Sequence, residues 1–315
     1  DDILQITTEE LFDGITYQPL NLATSMGKLT FYTPEELEGS IPSYREIVVL
    51  KSVPNDIAIV SGIITGEFQT PLSHINVLSQ NRGTPNMALI GAFENEDLLA
   101  LEGKWIELQV DAMDYHLSEV TQEEADTWWE ENKPDPLDVT PMNTSVDDLR
   151  DAELVLDLEK YSLSDALTQA VPVFGGKGSH FGGLTNIGED VPMPKGFVIP
   201  VHFYNQHMEQ AGLWPVVEDM LADKAFQGDA QVRYDTLTTL REMIFAADIN
   251  PEFLQMVKNK MNLEYAGERC RFRSSTNAED ISGFNGAGLY TSKSGDPNDD
   301  DYPVEDAIRT VWASL

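Results

Sequence analysis

The sequence has few positive charges and almost no cysteine. It contains 20 lysines and arginines against 54 aspartates and glutamates, and its net charge at pH 7 is −34. A surface of this sign repels nucleic acid and anionic lipid, so neither is expected as a partner. The single cysteine, Cys270, excludes an internal disulfide framework and a cysteine-rich metal site. It fits a reducing compartment, and we expect a cytoplasmic location.

Long apolar runs are also missing, since no stretch reaches the roughly 18 apolar residues that a membrane span needs. The acidic, polar first residues are atypical of a signal peptide. With 315 residues, of which 41% are hydrophobic, the chain is expected to form about two domains. An acidic protein that binds an anion must gather its few cations locally, so lysines and arginines in glycine-rich contexts are the first candidates.

The first 121 residues have the pattern of a mixed α/β domain. A short helix is predicted after the cap Thr33, with Pro34 in its first turn. Short β-branched apolar runs predict strands. These runs lie at 28–32, 47–50, 57–64 and in "WIELQV", the last interpreted as an edge strand.

Residues 122–165 differ in character and are interpreted as a linker containing an acidic helix. Its aromatic pair, Trp128 and Trp129, is interpreted as a staple to a domain rather than a ligand site. A second domain is expected over 166–315. The helix predicted in its last segment, "VEDAIRTVWASL", lacks a stop signal, so we expect the sequence to be cut within this domain.

One histidine occupies a position suited to phosphate chemistry. His74 lies in "TPLSHINVLSQNRGTP" and is predicted in the first turn of a helix that ends near Gly83, with Thr70 or Ser73 as its cap. The N–H groups and dipole of a helix N-terminus suit a phosphate, and a neutral imidazole is a competent nucleophile toward phosphorus. The alternative is a surface helix that merely begins with histidine.

A glycine-rich segment offers a candidate phosphate contact in "VFGGKGSHFGGLTN". Two glycines before Lys177 allow the backbone to approach a ligand, and the lysine can meet a phosphate as a point charge. The spacing is neither that of a Walker loop nor that of a dinucleotide-binding turn. A flexible turn with an exposed lysine is an equal alternative, and His180 is expected to be its solvent-facing neighbour.

Three arginines alternate on one predicted strand in "ERCRFRSST". For Arg269 and Arg271 we favour ion pairs with the abundant carboxylates. Arg273 precedes two serines at the strand end. A forked guanidinium beside hydroxyl groups suits phosphate oxygens, so Arg273 is the favoured functional residue.

Together these segments resemble the phosphoenolpyruvate-utilising enzymes. Their phosphohistidine swivelling domain is similar to "GIITGEFQTPLSHINVLSQNRGTPNMALIG", and the nucleotide-binding domain of pyruvate phosphate dikinase and phosphoenolpyruvate synthase resembles the glycine-rich and "FRSSTNAEDISGFNGAGLY" segments. The resemblance implies an α/β protein. A β/β/α phosphohistidine domain over 1–121 and a linker over 122–165 precede the N-terminal part of an α+β ATP-grasp domain, over 166–315, truncated at its C-terminus.

The implied activity is that of an ATP-dependent, Mg²⁺-requiring dikinase. His74 would receive the β-phosphoryl group of ATP, with release of AMP and phosphate, and pass it to an acceptor. The resemblance assigns nucleotide binding to Gly176, Lys177, Arg273 and Ser274. An unidentified small molecule or pyruvate ranks above a glucan as acceptor. Metal-binding acids are expected after Leu315, in a remainder of the parent chain without which the fragment is expected to be inactive.

Two departures from the family pattern open alternatives. The histidine domain comes first, an order closer to the glucan water dikinases, so an enzyme of that kind is one alternative. Gln80 stands where the family usually has an arginine, and Arg82 is a candidate substitute. A catalytically silent relative that binds nucleotide and regulates a partner is the other alternative.

Overall fold

The computed structural model describes residues 14–55, 57–70, 72–133, 139–188, 192–278, 280–281, 284–285 and 289–315. These residues divide into two compact units. The first contains the described residues up to Lys133 together with Gly228–Tyr234, and the second contains the other described residues. Both units mix strands and helices, which confirms the predicted α/β class. None of the helices in the described part of the chain has both the length and the apolar character needed to cross a membrane.

One seven-stranded sheet organises the first unit. Its strands are β1 (Tyr17–Asn21), β2 (Thr24–Tyr32), β3 (Glu46–Leu50), β4 (Gly62–Thr65), β5 (Asn86–Leu89), β6 (Trp105–Val110) and β7 (Tyr115–Glu119). They are ordered β1-β5-β4-β3-β2-β6-β7, and β2 to β5 run parallel. The carboxyl ends of parallel strands share one edge of a sheet, so the segment between β4 and β5 begins at that edge.

The helices of the first unit are α1 (Pro34–Gly39), α2 (His74–Arg82), α3 (Glu96–Leu99) and α4 (Gln122–Asn132). The predicted α1 is confirmed, and Thr33 and Glu36 form a capping box at its start. Helix α2 ends as predicted, because Gly83 takes the left-handed conformation, with a φ of 66°, that closes a helix.

The acidic helix α4 packs on the sheet of the first unit. The indole Nε1 of Trp129 donates to the Met26 carbonyl at 3.0 Å, and the Trp129 ring meets that of Trp128 edge to face. This confirms the interpretation of the tryptophan pair as a structural staple.

Two strand predictions in this unit are corrected. Of residues 57–64, only the last three belong to β4, and 57–61 form no strand. Strand β6 is not an edge strand, since it pairs with β2 on one side and β7 on the other. Alternating burial shows that one face is covered, but it does not show how many neighbours a strand has.

Helices dominate the second unit. They are α5 (Leu163–Thr185), α6 (Val201–Gln210), α7 (Trp214–Ala222), α8 (Lys224–Gly228), α9 (Ala230–Ala246), α10 (Pro251–Glu264) and α11 (Val304–Trp312), and the first residues of α9 fall in the first unit. The described strands are β8 (Arg150–Asp151), β9 (Phe197–Val198), β10 (Cys270–Phe272), β11 (Asp280–Ile281), β12 (Phe284–Asn285) and β13 (Lys293–Gly295). They form antiparallel pairs β8–β9, β10–β13 and β11–β12.

The core of this unit is rich in aromatic rings. Phe203 stacks on Phe253 with the ring centroids 4.2 Å apart, and Trp312 stacks on the same Phe253 at 5.6 Å. Trp312 is contributed by α11, whose apolar face is buried.

Candidate functional site

The glycine-rich segment forms part of a helix. Helix α5 continues through it, with one interruption at Gly175, where φ is 74° and ψ is 170°. This backbone conformation is accessible essentially to glycine alone. The predicted flexible turn is therefore wrong, and the segment is a kinked helix whose second half begins at Gly176.

A close approach between two backbones explains the glycine. A Cβ atom at Gly175 would lie 2.2 Å from the carbonyl oxygen of Ser275, so no larger residue fits without movement. The Ser275 hydroxyl accepts from the Gly178 N–H at 2.8 Å and donates to the Phe174 carbonyl at 2.6 Å. Sequence analysis offered the hydroxyls of both serines after Arg273 for phosphate oxygens, whereas the Ser275 hydroxyl forms hydrogen bonds within the protein.

The first N–H groups of the second helical half are used within the protein. Gly176 N–H donates to the Thr276 carbonyl at 2.8 Å, beside the bond from Gly178 to Ser275. We expected the glycines to bring the backbone close to a ligand. In the structure they bring it close to residues 275–276, whereas the Lys177 side chain is exposed.

The structure brings the predicted lysine and arginine segments together. Lys177 Nζ lies 3.4 Å from the Ser274 hydroxyl oxygen, although the two residues are 97 positions apart in the chain. Ser274 is buried, whereas Lys177 and the adjacent Arg273 are exposed. Tyr290 adds an aromatic face, its ring centroid 6.0 Å from Lys177 Nζ. We call Lys177, Arg273, Ser274 and Tyr290 the cation cluster.

The positive charge of the Arg273 guanidinium is not balanced by a carboxylate of the described residues. No ion pair is formed between Arg273 and any carboxylate of the described residues. In a chain with 54 acidic residues, an exposed guanidinium without such a pair is suited to an external anion. The cation cluster therefore fits a polyphosphate.

The other two arginines of the strand have different partners. Arg269 pairs with Asp299 at 3.0 Å and with Asp296 at 3.7 Å, which confirms the predicted ion pairs. The prediction is wrong for Arg271 within the described residues, because its guanidinium donates to the Ser294 hydroxyl at 3.3 Å instead.

His180 bonds to the main chain of its own helix, and the Cys270 thiol is partly buried. His180 is exposed, as predicted, and its Nδ1 lies 2.8 Å from the Gly176 carbonyl oxygen, to which it donates. Burial, followed by the charges of Glu268 and Asp296, raises the pKa of the Cys270 thiol, so its reactive thiolate form is disfavoured.

In the first unit, His74 is the first residue of α2 and is exposed. Ser73 occupies the cap position, but its side chain makes no capping hydrogen bond. The Ser73 hydroxyl is buried and has no hydrogen-bond partner among the described residues. An uncapped helix N-terminus beside an imidazole suits a phosphoryl group.

Arg82 is directed away from His74. It is the last residue of α2, about 12 Å along the axis from the first at the usual rise of about 1.5 Å per residue. Its guanidinium donates to the carbonyls of Ile57 and Ala58 at 3.4 and 3.5 Å. Arg82 therefore does not replace the arginine that the family usually has at the position of Gln80.

No metal site is assigned. Among the described residues, no group of three or more His, Cys, Asp or Glu side chains is placed to hold a metal ion.

Comparison with known proteins finds similarity in the second unit. Residues 171–315 match the family described as pyruvate phosphate dikinase, AMP/ATP-binding domain. Over 150 residues the chain is 29% identical to a probable phosphoenolpyruvate synthase of Methanothermobacter thermautotrophicus, a match that covers 46% of this chain and 21% of that protein. Over these residues, the chain is similar to the phosphoenolpyruvate synthase and pyruvate phosphate dikinase family.

The cation cluster lies in the part of the chain that this similarity covers. Lys177, Arg273, Ser274 and Tyr290 all lie within the range matched to the AMP/ATP-binding domain. Residues 171–315 are therefore similar to a nucleotide-binding domain. His74 lies outside the matched range, so its role is argued from its own geometry.

Proposed function

We propose that the chain is part of an ATP-dependent dikinase. The second unit would bind the phosphates of ATP through Lys177 and Arg273, and His74 would accept the β-phosphoryl group. The observation that carries the proposal is the hydrogen bond from the exposed Lys177 to Ser274, 97 positions away in the chain, because Ser274 directly follows the exposed Arg273. Ser274 would hold Lys177 in place, and Gly176 would contribute through the kinked helix that presents the lysine.

The proposed reaction forms two bonds to phosphorus and breaks two. An imidazole nitrogen of His74 attacks the β-phosphorus, and the bond from this phosphorus to the oxygen of the α-phosphate breaks, so that AMP leaves. Water takes the γ-phosphoryl group as phosphate. The balance is ATP, water and histidine giving AMP, phosphate and phosphohistidine. The uncapped first turn of α2 would stabilise the phosphoryl charge on His74.

The finer organisation rests on the sequence resemblance. We propose that residues 1–121 are a swivelling phosphohistidine domain, 122–165 a linker, and 166–315 the first part of an ATP-grasp domain. An unidentified small molecule or pyruvate is the proposed acceptor, ahead of a glucan. Mg²⁺ is the proposed cofactor, and no step is assigned to it here because no described residues form its site.

The experiment is labelling of the full-length protein with ATP carrying ³²P in its β-phosphate, in the presence of Mg²⁺. We expect acid-labile, base-stable label on the peptide that contains His74. His74→Asn should abolish the label and leave the affinity for ATP unchanged. His116→Asn is the matched control, because His116 is an exposed histidine of the same unit on β7. Label that persists in His74→Asn would contradict the assignment.

One observation favours a second candidate, a silent relative that binds nucleotide. Arg82 bonds to the carbonyls of Ile57 and Ala58, so no arginine of α2 is directed toward His74. The same labelling experiment separates the two functions. ATP binding measured by calorimetry, without label on the wild-type protein, would establish the silent relative.

A further inference from the structure

Two buried amide side chains form a closed pair next to the segment that carries His74. Gln69 is 3% exposed and Asn86, in β5, is 0% exposed. Gln69 Nε2 donates to Asn86 Oδ1 at 2.8 Å, and Asn86 Nδ2 donates back to Gln69 Oε1 at 3.1 Å. A buried amide is costly unless its donors and acceptor are paired, so each side chain depends on the other.

The remaining N–H groups of the pair extend to two structural elements. Gln69 Nε2 also donates to the Thr65 hydroxyl at the end of β4, at 3.1 Å. Asn86 Nδ2 also donates to the Ser79 hydroxyl on α2, at 3.1 Å, and this hydroxyl donates in turn to the Asn76 carbonyl at 2.8 Å. We call Thr65, Gln69, Ser79 and Asn86 the amide network. All of its amide N–H groups have partners.

The backbone of the same segment is held from the other side. Gln18, in β1, donates through Nε2 to the Gln69 carbonyl and accepts from the Gln69 N–H through Oε1, both at 3.0 Å. Gln69 is thus fixed by its main chain to β1 and by its side chain to β4 and β5. It lies five residues before His74, and Ser79 lies five residues after it.

The network therefore fixes the chain on both sides of the histidine. We propose that Gln69 and Asn86 are positioning residues for His74, which set the direction from which its imidazole meets the phosphorus. The inference rests on the proposed function, in which His74 accepts a phosphoryl group. Phosphoryl transfer is sensitive to such alignment, since a displacement of about 1 Å can cost about 100-fold in rate.

The test replaces both amides by apolar side chains of similar size in the full-length protein, Gln69→Met together with Asn86→Leu. Loss of both partners leaves no unpaired amide, so the fold is expected to survive. The Thr65 and Ser79 hydroxyls keep their bonds to the carbonyls of Glu67 and Asn76. At saturating ATP, we expect the rate of His74 labelling to fall at least about tenfold, with the ATP concentration for half-maximal rate unchanged.

The matched control removes buried hydrogen bonds elsewhere in the same sheet. Ser25 and Ser61 are each 3% exposed, and each donates a side-chain hydrogen bond of 2.7 Å to a backbone carbonyl. The variant Ser25→Ala with Ser61→Ala should lose stability without losing labelling rate. Wild-type labelling rates in the amide variant would overturn the positioning role and leave the proposed function intact. A wild-type protein that takes no label would overturn both.

A smaller change covers the case in which the double variant does not fold. Ser79→Ala removes a single oxygen atom, which cuts the link from Asn86 to α2 together with the bond from Ser79 to the Asn76 carbonyl. We expect its labelling rate to fall at least about threefold, again with the ATP dependence unchanged. A folded Ser79→Ala protein with the wild-type rate would overturn the inference.

Discussion

At the scale of single residues, the cation cluster depends on a glycine that touches no ligand. Gly175 combines a φ of 74° and a ψ of 170° with the carbonyl oxygen of Ser275 2.2 Å from where a Cβ would lie. We infer that Lys177 approaches Ser274 because residue 175 adopts this backbone conformation and leaves space for the Ser275 carbonyl. The glycine therefore acts through the path of the backbone, and the chemistry is left to the side chains around it.

Alanine at Gly175 is expected to be unusually destabilising. The backbone conformation costs a non-glycine residue about 1–3 kcal/mol, and displacing the Ser275 backbone adds about 1–3 kcal/mol of overpacking. We expect Gly175→Ala to lower the free energy of unfolding by about 3 kcal/mol or more, measured by urea denaturation.

A variant at Gly212 serves as the comparison, because it measures the cost of the backbone conformation without a steric clash. It has a positive φ of 67° but open space where its Cβ would be. Gly212→Ala should cost only the conformational part, about 1 kcal/mol. Equal losses in the two variants would show that the contact with Ser275 carries no cost.

At the scale of elements, helix α4 begins with a capping box that responds to pH. The Thr121 N–H donates to Glu124 Oε2 at 2.7 Å, and the Thr121 hydroxyl accepts from the Glu124 N–H at 3.2 Å. Hydrogen bonds from the Thr121 backbone and then its hydroxyl lower the pKa of Glu124 below its ordinary value of 4.5. The charged carboxylate is therefore the form that the folded helix favours.

This lowered pKa fixes the direction of the pH effect. As the pH falls below about 4.5, the Glu124 carboxylate is protonated at a higher pH in the unfolded chain than in the folded one. Acid therefore favours unfolding. Glu124→Gln removes this proton uptake. We expect the free energy of unfolding of this variant to lie furthest below that of wild type at pH 7. The difference should shrink as the pH falls through the pKa of Glu124 in the folded protein, measured by urea denaturation at each pH.

Glu123→Gln provides the comparison, because Glu123 lies in the same first turn outside the capping box. Its difference from wild type should change less over the same pH range. A deficit of Glu124→Gln that is the same at pH 7 and pH 3.5 would contradict the role of the charge.

The elements that the sequence predicts well are those defined by local signals. Thr33 with its proline marks α1, and Gly83 marks the end of α2, because caps act within one turn of chain. The glycines of α5 mislead, since glycine is a poor helix former. The fold requires glycine there, because segments distant in sequence pack too closely on the helix for a larger residue. A Cβ at Gly178 would lie 2.7 Å from the Val198 side chain, and one at Gly182 would lie 2.9 Å from the Ala152 carbonyl oxygen.

The same distinction applies to the candidate site. His74, Lys177 and Arg273 carry reactive or charged groups in recognisable motifs, so each can be selected from sequence. Gln69 and Asn86 cannot, because an isolated amide in a sequence gives no sign that it is buried against another. Their pairing exists only once β1, β4 and β5 are assembled.

At the scale of the whole molecule, net charge opposes the proposed ligand. The chain carries −34 at pH 7, and ATP is also an anion. Long-range repulsion must therefore be overcome near the surface by the few local cations, Lys177 and Arg273. Local attraction acts over a few ångströms, whereas the field of the whole chain acts over the screening length of the solution.

Ionic strength separates these two ranges. The screening length falls from about 30 Å at 0.01 M salt to about 10 Å at 0.1 M, which removes repulsion between ATP and distant carboxylates while leaving close contacts less affected. We expect the association rate constant of ATP, measured by stopped flow at constant Mg²⁺, to rise at least about twofold over this range. Adenosine, which is uncharged, should show no such rise. A rate that falls with salt would mean that the field at the cation cluster is positive well beyond contact distance, and that the acidic residues are arranged away from the path of the nucleotide.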